Sequence, residues 1–181
     1  MKKSYKSRRE RGERLRRIGI WGGLLFLLAV SESSFFGGLS FLPATPDLIL
    51  CAVVAIALLD SPAVAAVAAV GGGVLSDVMG GTGAYFSPIL YLLTVLLLSG
   101  MAEKMMPRIW SWALMMLPAL LLRGGATLLG LVVSRGSAPL GAALWQVILP
   151  EAAISFLLGI PLYFIASLCE KFCGERRSSA L

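Results

Sequence analysis

Residues 62–88 read PAVAAVAAVGGGVLSDVMGGTGAYFSP. The stretch is apolar enough for lipid, yet it is made mostly of alanine, glycine and valine. Ala65, Ala69 and Gly73 recur at spacing four, and Ala68, Gly72, Ser76 and Gly80 form a second column beside them. Val64, Val67, Val70, Val74 and Val78 fall on the opposite side at helical spacing. The pattern predicts a membrane helix, the third span, whose small-residue face lets neighbouring helices approach closely, since close backbone contact drives packing where lipid removes the hydrophobic drive. Asp77 sits on the small side near the end of this helix, and the glycine-rich segment Gly80-Gly81-Thr82-Gly83 predicts a turn after it. On this reading the third span is the centre of the fold.

The totals support a membrane protein. The 181 residues are 57% hydrophobic and only 14% charged, against about 25% charged in soluble domains. Mean hydropathy is +0.84. At ~20 apolar residues per span, the length accommodates six spans with short connections and no separate soluble domain. The chain has no histidine, which removes imidazole metal sites, serine–histidine dyads and histidine relays together. Of the three cysteines, Cys51 reads as a small core residue. Cys169 and Cys173 share a helix face, but two thiolates alone leave a metal underliganded. No cofactor is expected.

Residues 1–17 form a basic tail in which Lys2, Lys3, Lys6, Arg8, Arg9, Arg11, Arg14, Arg16 and Arg17 face only Glu10 and Glu13. Such a cluster holds the N-terminus in the cytoplasm. Lys2, Lys3, Arg8, Arg9, Arg16 and Arg17 are the expected contacts to anionic lipid at the membrane surface. Nucleic-acid binding is not expected, because neither a folded module nor interleaved aromatic residues accompany the charge.

The membrane domain is expected over residues 18–168, with a cytoplasmic tail over 169–181. Span one runs from Ile18 through Val30 with Trp21 at the interface, and the connection Ser31–Thr45 carries Glu32 and no basic residue. Span two opens at Ala44-Thr45-Pro46-Asp47, with Thr45 as N-cap, Pro46 in the first helical position and Asp47 favouring the positive helix end. It ends at Leu59, and Asp60 or Ser61 caps the third span. Span four starts near Tyr85, with Pro88 in its first turn. Span five runs from Ile109 to Val133, with Trp110 and Trp112 as an aromatic belt, and span six from Ala142 to Leu168. The basic bias of the loops puts both termini in the cytoplasm.

Three ionisable residues fall inside the spans: Asp77, Arg123 and Glu151. At ~1.5 Å of rise per residue they share one layer, roughly 22 and 21 Å from the cytoplasmic starts of their spans and roughly 14 Å from the outer start of span six. The expectation is that Asp77 or Glu151 pairs with Arg123. Pro150 removes a helical donor beside Glu151 and bends that span. No metal set, second nucleophile or phosphate loop accompanies the layer, so an enzyme is not expected. Gly71-Gly72-Gly73 lacks the Lys-Ser/Thr that a phosphate loop requires.

At Pro46-Asp47-Leu48-Ile49-Leu50, then Gly73-Val74-Leu75-Ser76-Asp77 through Gly83, the chain resembles the MreD family of rod-shape-determining membrane proteins. The polar break Ser31-Glu32-Ser33-Ser34-Phe35 is similar as well. The resemblance covers residues 18–100, while spans five and six match in topology only. Val74 departs from the family's usual leucine, and the basic tail is longer. The resemblance implies an all-α bacterial inner-membrane protein of six transmembrane helices, similar to the substrate-capture subunits of energy-coupling-factor transporters. It implies a non-enzymatic scaffold of the cell-elongation machinery that binds the single-pass protein MreC. Through MreC it would work with a RodA-type glycosyltransferase, a class B penicillin-binding protein and the MreB filament in peptidoglycan synthesis. The small-residue face of span three, with Ala69, Gly72, Gly73, Ser76 and Gly80, is the expected seat for the partner helix. The competing reading is a vitamin-capture subunit, with its ligand near Asp47, Asp77, Arg123 and Glu151.

Overall fold

The computed structural model describes residues 2–36, 45–80, 86–102, 104–106, 108–135 and 140–173. Helix α1 covers Lys2–Ser31 and continues into a π-helical stretch, Glu32–Phe36. Next come α2 (Leu48–Leu59), α3 (Pro62–Gly80), α4 (Ser87–Ala102) and α5 (Ile109–Arg135). The chain closes with α6 (Leu140–Ala143), a second π-helical stretch (Leu144–Ile148) and α7 (Leu149–Cys173). No strand occurs among the described residues. The segment Gly81-Thr82-Gly83, most of the loop before α6, and the tail beyond Cys173 lie outside the described residues, as do the side chains of Lys2, Lys3, Arg8 and Arg9.

Among the described residues, four stretches are long and apolar enough to cross a membrane: Arg16–Phe35, Pro62–Met79, Ile109–Val133 and Leu144–Phe172. Their outward faces are apolar, with Leu27, Val67, Leu121 and Leu157 each more than 60% exposed. Apolar surface of that extent needs a non-aqueous surrounding. Helices α2 and α4, expected as spans, have only 12 and 16 residues.

The centre of the fold is α2, not α3. Every residue from Leu48 to Leu59 is buried, as expected of a helix that is hydrophobic all round. α1, α3, α4, α5 and α7 all pack on it. A 12-residue helix is about 18 Å long, short of the ~30 Å hydrocarbon layer. Its protein surroundings remove the need to match lipid, and they allow the non-helical backbone at Pro46, itself buried, to lie inside the bundle.

The small-residue columns of α3 are what permit this enclosure. A Cβ on Gly72 would lie 2.8 Å from Ile49 Cγ2 of α2, and one on Gly73 would overlap the backbone of Ser87 and Pro88 in α4. Ala65 and Ala69 are fully buried. The face expected to seat a partner is therefore filled by the chain's own helices at Ala69, Gly72 and Gly73. The far side of α3 is open, with Val67, Gly71, Val74 and Val78 exposed.

Other expectations are also revised. α1 passes through residue 17 without a break, so the basic tail continues the first span as helix. α7 reaches Cys173, past the expected end at 168. Trp112 is buried, stacking near Phe156 and Tyr163 at centroid distances of 5.8 and 5.9 Å, whereas Trp110 is exposed. The two are separated by two positions, which places them on different helix faces. Before Pro150 the ladder widens: Leu149 N–H donates to Leu144 O, the π-helical register. Proline supplies no N–H to continue the tighter ladder, and the wider turn absorbs that loss.

Candidate functional site

The polar groups of the bundle gather around the start of α2. Asp47 is its N-cap, with Oδ1 accepting Leu50 N–H at 2.8 Å. This shifts the cap from Thr45, as expected, to Asp47, and places Pro46 before the helix. Asp47 is 2% exposed, and its backbone N–H donates to Ser155 Oγ of α7 at 2.9 Å. The Tyr91 hydroxyl of α4 donates to the same carboxylate, 2.8 Å from both oxygens. Arg123 of α5 brings Nε to 3.2 Å from Asp47 Oδ2 and 3.6 Å from Glu151 Oε1 of α7. Four helices thus meet at Asp47, three at its carboxylate and α7 at its backbone N–H.

Of the expected layer, the structure brings Arg123 and Glu151 together and adds Asp47 as the nearer partner. Asp77 is held differently: its Oδ2 accepts the Ser87 N–H at the start of α4, 3.2 Å away. An acid at a helix C-terminus opposes the helix dipole, and the free N–H at the beginning of the next helix supplies the needed donor. Tyr91, Ser155 and Glu32 were not expected in the site. Glu151 and Ser155 are four residues apart on one helix face, a spacing that marks Ser155 in the sequence. Tyr91 lies inside an apolar run, with no local signal.

Glu32 leaves the connection expected for it and belongs to the π-helical continuation of α1. It faces the Leu48 and Ile49 amides at the same helix start. With Thr45, Ser76, Asp77, Ser87 and Arg123 it lines a cavity of about 230 Å³ at this end of the bundle.

Tyr91→Phe tests the network at its simplest point. It leaves the packing intact and removes a donor from a buried carboxylate, so a loss of about 1–3 kcal/mol is expected in unfolding from detergent. A loss below about 0.5 kcal/mol contradicts this geometry.

The opposite end carries a second arrangement. Asp60, at the end of α2, accepts Arg17 Nη1 at 2.8 Å and Trp21 Nε1 at 3.0 Å, and its Oδ1 accepts Ser61 N–H at 2.7 Å. This latch binds α1 to the turn between α2 and α3, and it gives Asp60 a larger role than the cap expected of it. It also takes Arg17 off the list of free surface contacts. Arg17 and Trp21 are four apart and share a helix face, and Asp60 is the sole acid of its turn, so the latch leaves a signal in sequence.

From the latch a groove of about 750 Å³ runs between α1 and α3. Its walls include Trp21, Gly22 and Leu25 on one side and Val67, Gly71 and Leu75 on the other, with Glu170 at the latch end. A Cβ on Gly22 or Gly71 would meet nothing within 4 Å. These glycines, unlike Gly72 and Gly73, are not spent on packing within the chain.

Cys51 is buried, its Sγ within 3.2 Å of Asp47 O and 3.3 Å of Ser155 O, which fits a core role. Among the described residues no group of three or more cysteine, aspartate or glutamate side chains is arranged to hold a metal ion.

The fold and its polar hub define, over the described residues, an all-α protein with four helices long and apolar enough to cross a membrane. No protein-family model, curated protein or solved structure matches the chain.

Proposed function

We propose that the chain is a non-enzymatic membrane scaffold that seats the single transmembrane helix of a partner, in line with its resemblance to the MreD family. On that reading the partner is an MreC-like single-pass protein. The complex would couple the RodA-type glycosyltransferase, the class B penicillin-binding protein and the MreB filament in the bacterial inner membrane, with six membrane helices and both termini in the cytoplasm. The observation that carries the reading is the groove between α1 and α3. Beyond the latch its walls are mainly apolar, and both carry a glycine whose added Cβ would meet nothing within 4 Å. Small residues facing outward allow the close backbone approach that stabilises helix pairs in lipid. The seat thus moves from the small columns of α3 to the edge of that helix that bears Val67 and Gly71.

The polar hub also supports a scaffold. Its carboxylates, guanidinium and hydroxyls are engaged with one another across four helices, an arrangement that fixes helix positions. The capture-subunit reading is weaker on size: the 230 Å³ cavity falls below the ~300–1,000 Å³ of pockets that enclose drug-sized ligands.

Gly71→Trp tests the seat. The side chain enters open space, so the protein should fold with unchanged thermal stability, while co-purification with the single-pass partner should fall about tenfold or more, a loss of about 1.4 kcal/mol or more. Retained co-purification with Gly71→Trp would rule the groove out as the seat.

A further inference from the structure

The cavity at the start of α2 carries an uneven charge. Arg123 contributes to its wall, but its Nε lies against Asp47 and Glu151. Glu32 and Asp77 face the same space, and among the described ion pairs neither has a cation partner. Asp77 is 6% exposed and takes one backbone N–H. The Oε2 atom of Glu32 is fully buried and accepts no hydrogen bond. A buried carboxylate oxygen without a donor is costly, and the cost is removed when a cation fills the space before it.

The wall also has a definite donor–acceptor character. Besides the two acidic residues its lining includes Ser33, Thr45, Ser76 and Ser87, with the Ser33 hydroxyl donating to Val30 O. A hydroxyl can accept as well as donate, so with the two carboxylates the wall offers several acceptors to a donor group. An anion would meet two carboxylates that have backbone N–H donors but no ion pair of their own, whereas a primary ammonium, with three donors and no acceptor, complements such a wall. A dehydrated metal ion is served less well, since no set of three or more anionic ligands converges among the described residues. The volume suits a small compound.

We propose that this cavity binds the ammonium group of a small primary amine between the Glu32 and Asp77 carboxylates, with a wall hydroxyl as the third acceptor. The site is separate from the groove between α1 and α3, and it does not depend on the scaffold reading. Ammonium binding there would neutralise the far end of the bundle and join α1, α3 and the start of α2.

The test uses the full chain in lipid nanodiscs and follows thermal unfolding in methylammonium, tetramethylammonium and sodium chlorides at matched ionic strength. Methylammonium should raise the unfolding temperature saturably, and the other two should not, because neither offers N–H donors. Glu32→Gln keeps the shape and removes the charge, so the apparent affinity for methylammonium should fall about tenfold or more, the loss of a charge-assisted hydrogen bond. Asp77→Asn should act in the same direction. Equal responses to the three salts, or none, overturn the proposal. So does a sodium response as large as that of methylammonium, which would assign the cavity to a bare cation. An unchanged response in Glu32→Gln places binding elsewhere and also overturns it. Should either variant fail to fold, the salt selectivity of the unaltered chain decides the matter alone.

Discussion

Replacing Asp47 with alanine is expected to cost about 3–5 kcal/mol of folding stability, the range for removing one partner of a buried ion pair. The residue does four things at once. Its side chain caps α2 through Leu50, accepts the Tyr91 hydroxyl and pairs with Arg123, and its backbone N–H meets Ser155. Alanine keeps only the last. The larger share of the loss comes from Arg123, which is left with Glu151 alone at 3.6 Å. Asp47→Asn should cost less, because the amide oxygen still caps α2 and Glu151 still offsets the guanidinium. Reversible unfolding in detergent, followed by tryptophan fluorescence, checks both. A loss below about 1 kcal/mol for alanine would mean that the hub does not hold the helices.

The second large effect is steric. Gly73→Ala places a methyl against the backbone of Ser87 and Pro88, and no side-chain rotation relieves a clash with backbone. α4 must move away from α3, and the Ser87 N–H bond to Asp77 is stretched with it. Overpacking of this kind costs about 1–3 kcal/mol or more. Gly71→Ala, two residues earlier, meets open space and should be neutral or stabilising by up to ~1 kcal/mol from helix propensity. The contrast within one helix is the test, since membrane insertion and overall composition are the same in both variants. Equal stabilities for Gly71→Ala and Gly73→Ala would contradict the α3–α4 crossing.

Much of this architecture is written in local pattern. Small residues at spacing four predict the close sides of α3, and the position of Asp77 at its end is read directly. The turn at Asp60-Ser61-Pro62 ends α2 and starts α3 where its residues predict. The role of α2 was not legible, because an all-apolar run of twelve residues reads alike as a span facing lipid or as a buried core helix. What distinguishes them is tertiary: five helices enclose it. The same holds for the site. The depth count along each helix put Arg123 and Glu151 in one layer, since rise per residue is fixed. Asp47 was read as a helix-start residue, which it is, but its approach to Tyr91 and Arg123 depends on how α4 and α5 rotate about their axes. The sequence of a single helix does not contain that rotation. Trp112 shows the same gap, because an interfacial tryptophan and a core tryptophan look identical one helix at a time.

The groove between α1 and α3 is the proposed seat of a partner's transmembrane helix. Site-specific photocrosslinking in the native membrane tests it most directly, with the crosslinker placed at Gly71 in the groove and, for comparison, at Leu121 on the exposed face of α5. A strong protein adduct is expected from Gly71 to a single-pass protein with an extracytoplasmic domain, and none from Leu121. Lipid adducts alone at Gly71, or the same protein adduct from both positions, would contradict it.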